Sequence, residues 1–318
     1  MSQSGPRVCG RFAPSPSGRM HLGNAFSALL AWLSVRSQGG RMLLRIEDLD
    51  PDRCRPEYTA QLIDDLRWLG LDWDASGPEY AQSARGAYYL DALERLERRG
   101  LIYPCFCSRA ELHAASAPHA SDGRTVYSGA CRALSAQEIC ERAKKRTPAL
   151  RLRVPDREIA FTDGLLGPYS QNLARDCGDF ILRRSDGVFA YQLAVVTDDA
   201  RMGVTQVVRG RDLLESTPRQ LYLYELLGFP PPEFYHIPLL LAPDGRRLAK
   251  RERHLDFGAL RKRCPRPEAL VGYLASLAGL LPHPEPISAA ELIPLFGWDR
   301  IRREDIQLGT LSMDTTCT

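Results

Sequence analysis

Residues 7 to 50 read RVCGRFAPSPSGRMHLGNAFSALLAWLSVRSQGGRMLLRIEDLD, and this stretch determines the expected fold. The segment from Arg7 to Phe12 is short and apolar, which favours a buried strand, and a proline-rich turn follows at residues 13–18. From Asn24 to Arg36 the apolar residues recur at helical spacing, and a second buried strand is expected at Met42 to Ile46. Strand, loop, helix and strand form a βαβ unit, so the sequence predicts an α/β fold with a parallel sheet.

Further elements extend this pattern along the chain. Apolar periodicity predicts helices near Thr59–Leu69, Ala84–Arg99 and Ser216–Leu227, and strands are expected at Ala149–Val154, Asp179–Arg183 and Gly203–Arg209. The stretch Leu101–Arg132 is predicted to be irregular. Two short helices, Pro267–Leu280 and Ser288–Phe296, are expected to close the chain.

The composition is that of an ordinary globular protein, with 44% hydrophobic and 25% charged residues in 318. The formal net charge of +3 neither requires nor excludes a nucleic-acid partner. No apolar run approaches the roughly 20 residues that span a bilayer. Because the N-terminal segment also lacks the apolar core of a secretory signal, a cytoplasmic protein is expected.

The residues His21, Leu22, Gly23 and Asn24 stand at the predicted start of the first helix. A helix N-terminus presents unpaired N–H groups and a partial positive charge, which makes it an anion site. Gly23 allows a ligand to approach the backbone closely, and His21 and Asn24, three residues apart, can face one side of the first turn. This arrangement suits the phosphates of a nucleoside triphosphate.

The longer string around these residues resembles the class I aminoacyl-tRNA synthetases. Residues 11–24 resemble their HIGH signature in the form found in the glutamyl branch. Four further stretches match in the family's order: RIEDLD at 45–50, YQLAVVTDD at 191–199, VRGRDLLEST at 208–217 and RLAKR at 247–251. The resemblance covers about residues 7 to 251 and implies an α/β fold, with a Rossmann-type doubly wound parallel sheet as the catalytic domain.

In that family the amino-acid carboxylate attacks the α-phosphorus of ATP, which is bound with Mg²⁺ between the two signatures. The resemblance therefore implies catalytic roles for His21, Asn24 and Lys250, and an ATP site that includes His21, Gly23, Asn24, Arg247, Leu248 and Lys250. The second signature departs from the family's KMSKS pattern, because Arg247 replaces the first lysine and Ala249 replaces the serine. The arginine keeps the charge, whereas the missing hydroxyl removes one possible phosphate contact.

Five residues match positions that hold the amino acid in glutamyl enzymes: Arg11, Ser15, Glu47, Tyr191 and Arg209. A dicarboxylic substrate needs an arginine for its side-chain carboxylate, Glu47 can accept from its ammonium group, and Tyr191 can donate a hydroxyl. A neutral amide in place of the side-chain carboxylate would leave a buried charge poorly paired, so selection of glutamate over glutamine is expected to rest on Arg11 and Arg209. Taken singly, each of these residues would by default be part of a structural salt bridge, whereas the whole set in matching context favours a binding function.

Among nine cysteines, Cys105 and Cys107 precede Tyr127 and Cys131. Three thiolates and one oxygen could give the tetrahedral coordination of a structural Zn²⁺, although a C-x-C pair is more often two ordinary cysteines. Cys140, His113 and His119 are rival ligands. The pattern resembles the zinc site of one branch of the family, which implies one structural Zn²⁺ in an insertion of the catalytic domain.

The resemblance implies four segments. The first half of the catalytic domain covers 1–100, a zinc-bearing insertion like the one that meets the tRNA acceptor end covers 101–176, the second half with the KMSKS-like loop covers 177–258, and a short helical C-terminal extension covers 259–318. Only 67 residues follow residue 251, too few for an anticodon-binding domain of normal size.

A shortened branch of the family has this organisation and the cysteine pattern. It forms glutamyl-adenylate without tRNA and transfers glutamate to the queuosine base in the anticodon loop of tRNA(Asp). We therefore expect an ATP-dependent ligase, a monomer, with L-glutamate, ATP and queuosine-containing tRNA(Asp) as partners. The alternatives are a minimal glutamyl-tRNA synthetase that charges a 3′ end, a glutamate donor to a carrier or small molecule, and a non-catalytic RNA-binding paralogue.

Overall fold

The computed structural model describes residues 8–108, 126–246, 248 and 256–308. Its strands are β1 Cys9–Phe12, β2 Arg41–Leu44, β3 Ile102–Cys105, β4 Ala149–Leu152, β5 Glu158–Asp163, β6 Gly167–Asn172, β7 Phe180–Arg183, β8 Gln206–Gly210, β9 Glu233–Ile237, β10 Leu240–Leu241 and β11 Ile306–Gln307. Its α-helices are α1 Leu22–Arg36, α2 Pro56–Trp68, α3 Gly86–Arg98, α4 Ala136–Ala143, α5 Tyr191–Arg201, α6 Thr217–Leu227, α7 Phe257–Arg263, α8 Pro267–Ala278 and α9 Ala289–Leu292.

The predicted βαβ unit is present, since β1 pairs in parallel with β2 and α1 connects them. A second parallel pair joins β8 and β9. Thr205 links the two pairs, because its N–H donates to the carbonyl of Cys9 at 2.9 Å and its hydroxyl accepts from the Cys9 N–H at 2.9 Å. The carboxyl ends of β1 and β8 consequently lie side by side.

This sheet is buried on both faces, as expected for a doubly wound α/β domain. On β2, Met42 and Leu44 contribute to a core with α1, α2 and α8, whereas Leu43 points into a second core with α3, α5 and α6. Since successive strand residues point to opposite faces, the continuous apolar run of β2 fills both cores at once.

The stretch 101–132 contains a strand, so the prediction that it is irregular throughout was wrong. β3 pairs antiparallel with β4, which pairs in turn with β7, and the resulting sheet of three strands stands apart from the parallel one. The proline at 104 and the short, half-buried pattern of β3 gave little strand signal in the sequence.

A hairpin of β5 and β6 packs against β9. At its turn, a Cβ on Gly164 would lie 2.1 Å from the ring of Tyr235, so only glycine allows this close approach without rearrangement. The turn therefore brings the end of β5, including Asp163, next to β9.

The C-terminal part packs onto the first core rather than apart from it. Both predicted helices are present, as α8 and as the shorter α9 with a following 3₁₀ turn, Ile293–Leu295. β10 and β11 form a short parallel pair. None of the helices in the described part of the chain combines the length and apolar character needed to cross a bilayer.

Candidate active site

A cavity of about 400 Å³ opens at the carboxyl ends of β1 and β8, beside the start of α1. All five residues predicted to bind an amino acid line it, together with Asn24 of the first signature; these are Arg11, Ser15, Asn24, Glu47, Tyr191 and Arg209. The fold thus brings together side chains that lie up to 198 residues apart in sequence. This is the edge at which ligands bind in open parallel sheets.

Arg11 is 6% exposed and is held from behind by Asp199 of α5. Its Nε donates to Oδ1 of Asp199 at 3.2 Å, which leaves its terminal nitrogens on the side of the cavity. Burial alone would raise the pKa of Asp199, but the guanidinium groups of Arg45 and Arg11 outweigh it and hold the pKa below its usual value. Asp199 is therefore ionised and balances part of the positive charge around it.

Arg45 is fully buried and connects the acidic groups of the site. One terminal nitrogen donates to Asp199 Oδ1 at 2.5 Å and the other to Oε1 of Glu47 at 3.1 Å. Burial raises the pKa of Glu47, and Arg45 and Arg11 only partly offset it. The bond to Arg45 fixes the Glu47 carboxylate at the wall of the cavity.

Asp198, the neighbour of Asp199, lies on another side of α5 and is also fully buried. It accepts from Arg85 Nε at 2.5 Å, from Tyr89 OH at 2.8 Å and from Gln82 Nε2 at 2.9 Å. These bonds tie α5 to α3 and to the turn before it, so Asp198 supports the site without lining it.

Arg209 at the end of β8 is held by uncharged groups. Its Nε donates to Nε2 of His236 at 3.0 Å, and its Nη2 donates to Oγ1 of Thr217 at 2.7 Å. Its third nitrogen, Nη1, is buried and has no hydrogen-bond partner among the described residues. Because Arg209 lines the cavity, this nitrogen is available to an anionic ligand.

Among the described residues, Arg209 has no carboxylate in direct contact. Arg11 and Arg45 contact Asp199 and Glu47, and Arg85 contacts Asp198. The carboxylate of Asp163 lies behind Arg209, on the far side of the His236 ring. A buried guanidinium without a direct anionic partner favours a ligand that brings a carboxylate to it.

The start of α1 has the form of an anion site. His21 is the N-cap residue, and its N–H donates to Oδ1 of Asn24 at 3.1 Å, so the amide NH₂ of Asn24 remains as the donor of that side chain. A Cβ on Gly23 would lie 3.1 Å from the His21 ring. Part of the role of Asn24 is therefore structural, because it caps the helix that presents these groups.

The chain segment that begins at Asp256, after the second signature, lies close to this helix start. Asp256 forms a backbone bridge with His21, and the N–H of Phe257 donates to the carbonyl of Met20 at 2.9 Å. Leu248 packs against the first core. Arg247 and Lys250 lie outside the described residues. Lys250 is six positions before Asp256, and six residues of extended chain span at most about 22 Å.

The predicted metal ligands cluster away from this cavity. The sulfur atoms of Cys105, Cys107 and Cys131 lie within 4.8 Å of one another. The hydroxyl of Tyr127 lies 3.5 Å from the Cys105 sulfur and 3.9 Å from the Cys107 sulfur, and it accepts from the N–H of Cys131 at 2.9 Å. Three sulfurs and one phenol oxygen around one point fit the donor set of a tetrahedral Zn²⁺ site.

Of the three rival ligands, Cys140 is exposed on α4 and is not part of the cluster. His113 and His119 lie outside the described residues.

Sequence reasoning missed the residues that hold the site from behind: Arg45, Asp163, Asp198, Asp199, Thr217 and His236. The sequence did contain one indication of these supporting residues. Asp198 and Asp199 follow the apolar run LAVV after a single threonine within a helix, which places at least one carboxylate on a buried face, where it needs a partner.

Comparison with known proteins identifies a family and several relatives of this chain. A family model described as "tRNA synthetases class I (E and Q), catalytic domain" matches residues 7–296. A protein from Symbiobacterium thermophilum named "Glutamyl-Q tRNA(Asp) synthetase" is 54% identical over 312 residues, which cover 95% of this chain and 96% of that protein. One of the same name from Nitratidesulfovibrio vulgaris is 53% identical over 297 residues, 91% of each chain.

Among solved structures, a glutamate tRNA ligase from Elizabethkingia meningosepticum in complex with its amino acid superposes with a TM-score of 0.83 at 27% sequence identity. The match covers 98% of this chain and 69% of that one. The α/β architecture predicted from the sequence is thereby confirmed as the fold of this group.

Proposed function

The chain belongs to the class I aminoacyl-tRNA synthetases, a family of ligases, since the family model matches most of its length, and from this we propose that it activates L-glutamate with ATP and transfers the glutamyl group to the queuosine base of tRNA(Asp). The first half-reaction forms glutamyl-adenylate and releases pyrophosphate. In the second, the acceptor hydroxyl attacks the activated carbonyl and releases AMP.

The observation that carries the glutamate assignment is the cavity with Arg11, Glu47 and Arg209 on its walls, where Nη1 of Arg209 has no hydrogen-bond partner among the described residues. L-Glutamate at neutral pH has two carboxylates and one ammonium group, which match the two arginines and Glu47. Glu47 accepts from the ammonium group, and the two arginines take the carboxylates. Glutamine has no net charge and would leave a buried guanidinium unpaired, which disfavours it.

The phosphates of ATP are proposed to lie at the start of α1, with His21, Gly23 and Asn24 on one side and Arg247, Leu248 and Lys250 on the other. Mg²⁺ enters with ATP as part of the substrate. The protein's task is to place the glutamate carboxylate near the α-phosphorus and to stabilise the charge that develops on the leaving pyrophosphate. Asn24 lines the same cavity as the glutamate-binding residues, which supports this arrangement.

A second cavity of about 440 Å³ shares Ser15, Glu47 and Tyr191 with the first. We propose that the acceptor nucleoside enters from this side. Queuosine as the acceptor is supported by the names of the relatives from Symbiobacterium and Nitratidesulfovibrio, which match over nearly their whole length. Charging of a tRNA 3′ end, donation to a carrier and non-catalytic RNA binding remain the alternatives.

We also propose that Cys105, Cys107, Tyr127 and Cys131 hold a structural Zn²⁺ that stabilises the segment 101–176 between the two halves of the catalytic domain, 1–100 and 177–258. Replacing Cys107 by serine should lower the metal content of the purified protein to near zero. Cys140→Ser, on exposed α4, is the matched control and should keep one metal per chain. Equal metal content in the two variants would exclude this cluster as the site.

The deciding experiment is transfer of labelled glutamate, with ATP, to purified tRNA(Asp) that carries or lacks queuosine, with tRNA(Glu) alongside. Label on queuosine-containing tRNA(Asp) alone supports the proposal. Label on tRNA(Glu) favours a minimal synthetase, and label on no RNA despite ATP–pyrophosphate exchange favours another acceptor. Absence of exchange would leave only a binding function. Lys250→Ala, which should abolish exchange, is the negative control.

A further inference from the structure

Behind Arg209 stands a chain of buried groups that runs from Asp163 through His236. His236 lies opposite Arg209 in the parallel register of β9 with β8, and it has no exposed surface. Its Nδ1 is 2.6 Å from Oδ2 of Asp163, and its backbone N–H donates to both oxygens of the same carboxylate at 3.2 Å. Neither His236 nor Asp163 lines the cavity.

The hydrogen bonds assign the tautomer of His236. Asp163 also accepts from the N–H groups of Leu165 and Leu166, at 3.0 and 2.9 Å, so it is an ionised acceptor and Nδ1 of His236 must donate to it. On the other side of the ring, Nε2 receives a hydrogen bond from Arg209 and therefore carries no proton. His236 is thus a neutral imidazole that joins a carboxylate to a guanidinium.

Thr217 is the second side chain that forms a hydrogen bond with Arg209. Its hydroxyl oxygen accepts from Nη2 of Arg209 and lies 3.2 Å from Nε2 of His236, to which the hydroxyl can donate. Two of the three nitrogens of the planar guanidinium, Nε and Nη2, are then held. The remaining nitrogen, Nη1, is the one with no hydrogen-bond partner among the described residues, and its direction is set by the other two.

Arg209 differs from Arg11 in the charge of the group that binds its Nε. Both arginines are held at Nε, but the partner of Arg11 is the carboxylate Asp199, whereas the partner of Arg209 is an uncharged ring. A carboxylate in place of His236 would cancel the charge of Arg209 inside the protein. The imidazole provides the same orientation and keeps the carboxylate of Asp163 one ring further away, so Arg209 can pair directly with a carboxylate of the ligand.

We propose that His236, kept in its Nδ1–H tautomer by Asp163, is a positioning residue that sets substrate specificity: it orients Arg209 while leaving its positive charge for a carboxylate of the substrate. The proposal rests on the proposed function, in which Arg209 binds glutamate. It predicts that glutamate binding and the preference for glutamate over glutamine depend on a side chain that does not touch the substrate.

Two substitutions of His236 test its two hydrogen bonds separately, the one from Arg209 and the one to Asp163. His236→Gln can place an acceptor oxygen near the position of Nε2 and so keep the bond from Arg209, whereas His236→Asn can keep the donor to Asp163 but is too short to reach Arg209. In ATP–pyrophosphate exchange, we expect His236→Asn to raise the KM for glutamate about tenfold, the range expected for one hydrogen bond to a charged group, with kcat and the KM for ATP little changed. We expect His236→Gln to stay within about threefold of the native KM.

The ratio of kcat/KM for glutamate to that for glutamine should fall in the Asn variant and be largely retained in the Gln variant. Thr217→Val, which removes the other acceptor without changing the size of the side chain, should raise the KM for glutamate in the same direction. Thermal unfolding of each variant checks that it is folded at the assay temperature.

A double-mutant cycle makes the result decisive. If His236 acts through Arg209, adding His236→Asn to Arg209→Ala should raise the KM for glutamate no further. If Arg209→Ala alone leaves the KM for glutamate unchanged, the glutamate role of Arg209 in the proposed function fails. If Arg209→Ala raises the KM but His236→Asn does not, or if the two effects simply multiply, the glutamate site stands and the role of His236 is overturned.

Discussion

At the scale of single residues, Asp199 stands out because it accepts from two buried arginines. Replacing it by asparagine keeps the shape of the side chain but removes the charge that offsets Arg11 and Arg45. Breaking a buried pair from one side leaves uncompensated charge, so we expect Asp199→Asn to lower the free energy of unfolding by about 3 kcal/mol. Urea unfolding followed by circular dichroism measures this change.

The matched control is Asp91→Asn, the same substitution in an ion pair with Arg201 in which Asp91 is 47% exposed. A pair of this kind contributes less than about 1 kcal/mol, because water screens it. Similar losses in the two variants would mean that Asp199 is not the charge anchor we infer.

The pair of Asp163 and His236 makes stability depend on pH. Burial lowers the pKa of His236, although the bond to Asp163 opposes this, and the pKa of Asp163 is also below its usual value, because His236 and nearby N–H groups outweigh the effect of burial. Both groups therefore bind protons more readily in the unfolded chain than in the native one. Acidification favours unfolding, first below about pH 6.5 through His236 and then below about pH 4 through Asp163.

The measurable consequence is a slope in that first window. As the pH is lowered from 7.5 to 5, the free energy of unfolding should fall more steeply for the native protein than for His236→Gln. The reason is that the glutamine side chain at position 236 does not titrate in this range. The comparison with the variant is needed because the chain has five other histidines. Identical slopes in the two proteins would show that His236 titrates alike in the native and unfolded states.

At the scale of elements, the sequence predicted those in which one period dominates. The apolar residues of α1 recur at helical spacing and β1 and β2 are apolar runs, so all three were located to within about two residues. The helix α5 was missed because its sequence, YQLAVVTDDAR, is apolar and β-branched before two acids, and its helical state depends on Asp198 and Asp199 finding buried partners. The hairpin of β5 and β6 was missed because its strands are mostly exposed or half-buried and carry few apolar residues, and because its position depends on Tyr235 covering Gly164.

The start of α1 offers a test that separates stability from activity. Alanine favours a helix over glycine by up to about 1 kcal/mol, so Gly23→Ala should not destabilise the protein strongly. Its methyl group would, however, meet the ring of His21 at 3.1 Å and narrow the approach to the backbone N–H groups. We expect the KM for ATP in the exchange reaction to rise roughly tenfold, the cost of losing one hydrogen bond to a charged phosphate.

Gly86→Ala, at the first turn of α3, is the control, since a Cβ there would meet no atom within 4 Å. That variant should gain a little stability and keep its KM for ATP. If Gly23→Ala also keeps a native KM for ATP, the phosphates do not approach the start of α1 as closely as we propose.

At the scale of the whole molecule, the site depends on contacts that no local pattern contains. Arg11, Glu47 and Arg209 could be named from the resemblance of their motifs to one family. The residues behind them could not, because Asp163 stands at the end of a mostly exposed strand and His236 within an apolar stretch, where a histidine is more often a satisfied core residue. Only the parallel register of β8 and β9 places His236 beside Arg209.

The C-terminal helices belong to the same cooperative unit as the active site. Leu274 of α8 is fully buried in the core that also contains Phe26 of α1 and Met42 of β2, and Trp298 stacks on Tyr235 of β9 with ring centroids 4.3 Å apart. Leu274→Ala should therefore lower the free energy of unfolding of the whole protein by about 2–5 kcal/mol, the range for removing a buried leucine side chain.

Because the core is shared, unfolding of this variant followed by circular dichroism and by loss of ATP–pyrophosphate exchange should give coincident transitions, both at lower temperature than in the native protein. Leu277→Ala, at a partly buried position of the same helix, is the control and should shift both transitions less. A transition that moves in circular dichroism while exchange activity is lost at the native temperature would instead mean that α8 unfolds on its own. The active site would then not need the C-terminal helices, contrary to the packing of α8 against α1.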